Sequence, residues 1–132
     1  MIFIDRSVPK PVAEALKLVR NDILWLEDRF DHSAKDAEWL AVAGASNWLV
    51  VVRDKRIRTR VGERRAIVEH KVGCFILNQG DDPTRWQYLK LLALTLDDMS
   101  TIFETTLRPF IFTVNREGVM RHVLRTAANG TG

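Results

Sequence analysis

Apolar residues fall along this chain in short unbroken runs separated by stretches of helical spacing, a rhythm that predicts alternating strands and helices. Ile2-Phe3-Ile4 reads as a buried strand ending at Asp5. Ser7 is placed to cap a helix whose first turn tolerates Pro9 and Pro11, with Val12, Leu16 and Val19 on one face. Ile23 to Leu26 is a second strand and Glu27 to Lys35 a polar loop. Asp36 opens a helix through Trp39, Leu40, Val42 and Ala43 that stops at Gly44. Trp48 to Val52 shows no alternation, as expected for a strand covered on both faces. A helix from about Gly62 to His70 and a fourth strand from Gly73 to Leu77 follow. Beyond the turn residues Asn78 to Pro83, the series Trp86, Leu89, Ala93 and Leu96, extended by Ile102 and Phe103, marks a long helix from about Thr84 to Thr105. Phe110 to Val114 and Val119 to Leu124 read as a closing hairpin.

This order predicts an α/β domain with a parallel central sheet, right-handed crossovers and helices on both faces, plus a C-terminal long helix and hairpin. A chain of 132 residues has room for one such domain, placed at residues 1–125, with 126–132 as a frayed tail. Its core needs no disulfide or metal staple at this size, so any metal would serve chemistry. Cys74 stands alone among apolar neighbours and is expected in the core. The apolar start is too short for a signal peptide and no run approaches the length that spans a bilayer, so a cytoplasmic location without membrane contact is expected.

In parallel sheets the strand C-termini share one edge, and ligands bind there. Asp5 ends the first strand, Asp54 follows the third, and Asp36 starts the helix after the second. Each has a local alternative, a turn for Asp5, a helix cap for Asp36, a strand-end cap for Asp54. Three on one edge is a different matter: carboxylates at adjacent strand ends repel unless one is protonated or a hard cation joins them. The expected cofactor is Mg²⁺ or Mn²⁺.

Net charge is only +3, but the basic residues are concentrated. Arg53, Lys55, Arg56, Arg58, Arg60, Arg64 and Arg65 face only Asp54 and Glu63 between positions 53 and 65. Arginine's planar fork suits phosphate, so Arg53, Lys55, Arg56 and Arg58 are candidate contacts to an RNA backbone. His32, His70 and His122 lack metal-ligand spacing, and no Gly-x-Ser-x-Gly elbow or phosphate loop is present. Trp25, Trp39, Trp48 and Trp86 sit on apolar stripes and are expected in the core.

Ile4-Asp5-Arg6-Ser7-Val8-Pro9, Asp36-Ala37-Glu38-Trp39-Leu40, Val51-Val52-Arg53-Asp54-Lys55-Arg56-Ile57-Arg58 and Gly73-Cys74-Phe75-Ile76-Leu77 together resemble the PIN-like nucleases. The similarity is closest to the short forms that are toxin halves of bacterial toxin-antitoxin pairs, and it runs over residues 2 to about 77. It implies a parallel α/β sheet and Mg²⁺- or Mn²⁺-dependent cleavage of RNA, with Asp5, Asp36 and Asp54 matching the family's acids. It also implies a cognate antitoxin as partner. Longer PIN domains carry a further acid on a helix between the first and third, for which this chain has no matching segment. Glu38 and Glu63 are the candidates to replace it, ranked below the three aspartates.

Two other classes share parts of this pattern. An inactive RNA-binding or partner-binding module could use the same scaffold, and a phospho-receiver signalling domain also carries an aspartate after its third strand and binds Mg²⁺. A receiver needs an acidic pair at strand one, where this chain has Asp5-Arg6. In the long helix, Tyr88, Leu92, Met99 and Phe103 widen the apolar face beyond the roughly 100° that one sheet face needs. That leaves surface for an antitoxin or for a second copy in a homodimer.

Overall fold

The computed structural model describes residues 1–53 and 61–124. Within them a six-stranded sheet is formed by β1 (Ile2–Ile4), β2 (Ile23–Trp25), β3 (Leu49–Val52), β4 (Gly73–Asn78), β5 (Phe110–Asn115) and β6 (Met120–Leu124), in the order β2-β1-β3-β4-β5-β6. Pairing is parallel from β2 to β5 and antiparallel only between β5 and β6. The fold is therefore α/β, as expected. The long helix is not an appendage, because it carries the chain from β4 across to β5, which extends the parallel sheet before β6 turns back.

Successive side chains of a strand point to opposite faces, and here both faces are covered. Ile2, Ile4, Leu49, Val51, Phe75 and Leu77 pack with α1 (Lys10–Lys17) and α4 (Arg85–Thr105). Phe3, Val50, Val52, Cys74 and Ile76 pack on the other side with α2 (Asp36–Ala45) and α3 (Val61–Glu69). Continuous apolar runs in the sequence are the signature of this double burial. Cys74 is fully buried, as expected, and burial holds its thiol well above the ordinary range.

Four local expectations are corrected. Ser7 does not cap α1, which begins after Pro9 with its first turn containing Pro11. Val19 lies beyond α1, which ends at Lys17, and is exposed. Gly44 does not stop α2; it lies within it, where the helix backbone presses on the His70 carbonyl. The buried stripe of α4 is Tyr88, Leu91, Leu92, Thr95, Leu96 and Met99, so Trp86 is 64% exposed and Ala93 faces solvent. The start of α4 is as expected, with Thr84 capping it: Thr84 Oγ1 accepts from the Gln87 backbone and Gln87 Oε1 accepts from the Thr84 backbone.

Gly44 bears on the site, because it sets how closely α2 approaches the end of α3. A Cβ there would run into the His70 carbonyl, and backbone cannot rotate away as a side chain can. Gly44→Ala is expected to lower stability by about 1–3 kcal/mol, the range of overpacking, despite alanine's better helix propensity. Urea denaturation checks this, and an unchanged or raised midpoint would contradict the close approach.

Candidate active site

The strand order reverses between β1 and β3, since β2 lies on one side of β1 and β4 beyond β3. Open α/β sheets bind ligands outside the strand C-termini at such a reversal. Asp5 stands there. Its backbone N–H donates to the Val51 carbonyl at 2.9 Å, holding the end of β1 against β3. Its Oδ2 accepts from the Ser7 N–H at 3.1 Å, so the local turn considered for Asp5 does form. The other oxygen differs: Asp5 is only 7% exposed, and Oδ1 is buried with no hydrogen-bond partner among the described residues.

Ser7, misassigned as a cap, ties the site together. While its N–H engages Asp5, its Oγ accepts from the Arg53 backbone N–H at 2.8 Å. The end of β3 is thereby fixed to the loop that holds Asp5. Asp54, next in sequence, and Lys55, Arg56 and Arg58 lie outside the described residues.

Asp36 is the first residue of α2 rather than its cap, which is Lys35. Its Oδ1 accepts from Trp39 Nε1 at 3.1 Å. Burial raises its pKa, the charge of Asp5 raises it further, and Glu63 adds to this against the lowering effects of the Trp39 hydrogen bond and the Arg6 charge. Asp5, Asp36 and Glu63 thus share one electrostatic neighbourhood. Glu38 is exposed on α2, whereas Glu63 lines the same pocket as Asp36 and acts on its pKa.

A pocket of about 470 Å³ lies between α2 and α3, lined by Arg6, Lys35, Asp36 and Glu63 among others. Arg6 is a site residue that sequence reasoning missed. Its Nη2 donates to the Ala34 carbonyl at 2.7 Å, while its Nη1 is buried with no hydrogen-bond partner. The signal that could have found it is its position directly after the strand-end aspartate. Arg53, a candidate phosphate contact, donates from Nη2 to the Gly80 carbonyl at 3.2 Å, towards β4.

The raised pKa of Asp36 has a consequence for stability. Between the ordinary aspartate pKa and its higher folded value the folded state binds more protons, so this group's contribution falls as pH rises through that window. At neutral pH its charge is destabilising. In EDTA, Asp36→Asn keeps an acceptor for Trp39 and is expected to melt higher than wild type at pH 7. Solvent screening at this half-buried carboxylate keeps the gain below about 1 kcal/mol, or roughly 4 °C. The difference should close below about pH 3.9. A lower melting temperature at pH 7 would mean that the charge is stabilised.

An open, mostly parallel sheet with Asp5 at its switch point defines an α/β protein with a pocket at the carboxyl edge where Asp36 and Glu63 meet Arg6 and Lys35. A family model described as a PIN like domain matches residues 1–79, and the chain belongs to that family. The match spans β1 to β4 and includes Asp5, Asp36 and Glu63. Searches of curated proteins and of solved structures gave no significant match. PIN-like domains are often nucleases that use divalent metals. Among the described residues, no group of three His, Cys, Asp or Glu side chains is placed to hold a metal ion. Those acids that are described nevertheless suit one: their donors are carboxylate oxygens, which hard cations prefer, and Asp5 offers a buried oxygen that nothing else satisfies. No helix among the described residues is long and apolar enough to cross a membrane.

Proposed function

We propose that this chain is a divalent-cation-dependent endoribonuclease, with Asp5, Asp36 and Asp54 holding Mg²⁺ or Mn²⁺ and Glu63 as the supporting acid. The observation that carries this is the buried, unpartnered Oδ1 of Asp5 at the switch point, within electrostatic reach of Asp36. A cation bound there would polarise the scissile phosphate and make an attacking water more acidic at neutral pH. The chain's own groups do the rest. Asp5 and Asp36 supply negative charge at fixed positions, and burial and the charge of Asp5 make Asp36 the carboxylate that gains from a nearby cation. Arg6, anchored at Ala34, has a second guanidinium nitrogen available to a phosphate oxygen. Ser7 holds the two strand ends in register.

The toxin half of a toxin-antitoxin pair is the setting that the sequence resemblance implies, in the cytoplasm, with a cognate antitoxin as protein partner and a homodimer as the alternative assembly. Light scattering of the isolated chain, and of the chain co-expressed with its neighbouring gene product, tests this. The strand order β2-β1-β3-β4-β5 is also that of receiver domains. In a receiver the position of Arg6 would be acidic, whereas here its guanidinium is bonded to Ala34. Incubating the purified chain with mixed cellular RNA, with Mn²⁺ or with EDTA, beside Asp5→Asn separates the nuclease from an inactive module and from a receiver. Cleavage that needs Mn²⁺ and Asp5 is the expected result, and no cleavage under any condition would overturn it.

A further inference from the structure

The pocket at Asp36 and Glu63 occupies only part of the carboxyl edge. Further along it, where β4 and β5 end, a larger cleft of about 860 Å³ opens between the 78–83 turn, the first turns of α4 and the 115–117 turn. Asn78 and Asn115 close the two strands as register partners, so two side-chain amides stand at its base. Gln79 and Gln87 add two more, and Leu91 supplies a buried apolar wall. Because Gln87 Oε1 accepts from the Thr84 N–H and Asn115 Oδ1 from the Glu117 and Val119 N–H groups, these two offer a ligand their amide N–H groups. Gln79 Oε1 is buried with no hydrogen-bond partner. A buried amide oxygen without a donor is costly, and it is satisfied when a ligand brings an N–H.

The charge balance narrows the ligand. Lys90 and Arg116 are opposed by Asp81 and Glu117 on the same cleft, so it has no excess of positive charge with which to hold a phosphate. Amides, one apolar wall and neutral balance suit a group that is flat, uncharged and rich in donors and acceptors. A nucleobase with its ribose has that chemistry, and single-stranded RNA is read by hydrogen bonds to such exposed base edges. The volume lies within the range of small-ligand sites and exceeds what one base needs.

Position connects the cleft to the acids. From Asp5 on β1 to Asn78 on β4 is two strand spacings, about 10 Å, a gap a short stretch of single strand can cross. Arg53 lies between them, its backbone tied to Ser7 beside Asp5 and its guanidinium to Gly80 at the rim of the cleft.

We infer that this cleft binds a nucleotide of single-stranded RNA through its base and thereby selects which phosphate reaches Asp5 and Asp36. The selection step rests on the nuclease reading; the binding step does not. Binding is therefore measured without metal, by fluorescence anisotropy of labelled oligoribonucleotide octamers of A, C and U in EDTA. Wild type should favour one homopolymer by about tenfold or more, the scale of one good amide–base pair. Gln79→Leu, which keeps the side chain's bulk, should bind that homopolymer about tenfold more weakly and lose the preference, with a melting temperature near wild type. Asn78→Ala, an exposed truncation, provides the second variant if Gln79→Leu does not fold. Equal binding of all three homopolymers, or a preference unmoved by both variants, would overturn the cleft while leaving Asp5-dependent cleavage intact. Selective binding lost in the variants, in a chain that cleaves nothing, would support the cleft and overturn the nuclease. Free mononucleotide bound as tightly as the octamer would mean a small-molecule site and would also overturn this inference.

Discussion

Asp5→Asn should reduce Mn²⁺-dependent RNA cleavage by more than about a hundredfold. Loss of a residue that only supports a metal ligand already costs about 10–100-fold, and Asp5 is proposed to touch the cation itself. The substitution is conservative for the fold, since asparagine still offers an oxygen to the Ser7 N–H. A second readout does not depend on activity. A ligand at a hundred times its dissociation constant adds about 2.7 kcal/mol, or roughly 10 °C for a domain of this size. Wild type should therefore melt about 10 °C higher in saturating Mn²⁺ than in EDTA, and Asp5→Asn should show almost none of that gain. Full cleavage by the variant, or an undiminished Mn²⁺ shift, would remove Asp5 from the cation site.

The strands were legible because the sheet is covered on both faces, which leaves short apolar runs such as Trp48 to Val52 with few alternatives. Their order was less so. Which strands pair depends on contacts between segments far apart in sequence, and nothing local tells β5 that it will extend the parallel ladder from β4. In α4 two apolar stripes compete: Trp86 and Ala93 turn to solvent while Leu96 is buried, and the sheet is covered by the face carrying Tyr88, Leu92 and Met99, a choice that spacing alone does not make. Site residues divide along the same line. Asp5 and Asp36 announce themselves by standing at element boundaries, a property of local sequence. Arg6 and Ser7 matter through partners brought near by folding, as when Ser7 meets Arg53 across 46 positions. Family membership follows from the segment in which local signals are dense, residues 1–79, and the cleft lies at that segment's end and beyond.

The acids are held by the core beneath them, and Trp39 is the link that can be tested. Its side chain is fully buried, stacked on Phe3 with centroids 5.2 Å apart, while Phe3 stacks in turn on Trp48 at 5.3 Å. Trp39→Ala should cost about 3–5 kcal/mol, a large share of the roughly 5–15 kcal/mol available to a domain. That loss alone would not show a role in the site. Trp39→Phe narrows the comparison, because it keeps an aromatic ring in the core while deleting the Nε1–H that donates to Asp36 Oδ1 together with part of the indole's volume. This hydrogen bond lowers the pKa of Asp36, so without it the carboxyl holds its proton to a higher pH. A protonated carboxyl is a poor ligand, and Mn²⁺ stabilisation should therefore fade at a higher pH in Trp39→Phe than in wild type as the solution is acidified. Thermal melts with and without Mn²⁺ from pH 7 downward measure the two midpoints. Coincident midpoints in a stably folded Trp39→Phe would mean that Trp39 supports the fold but does not tune the acid beside it.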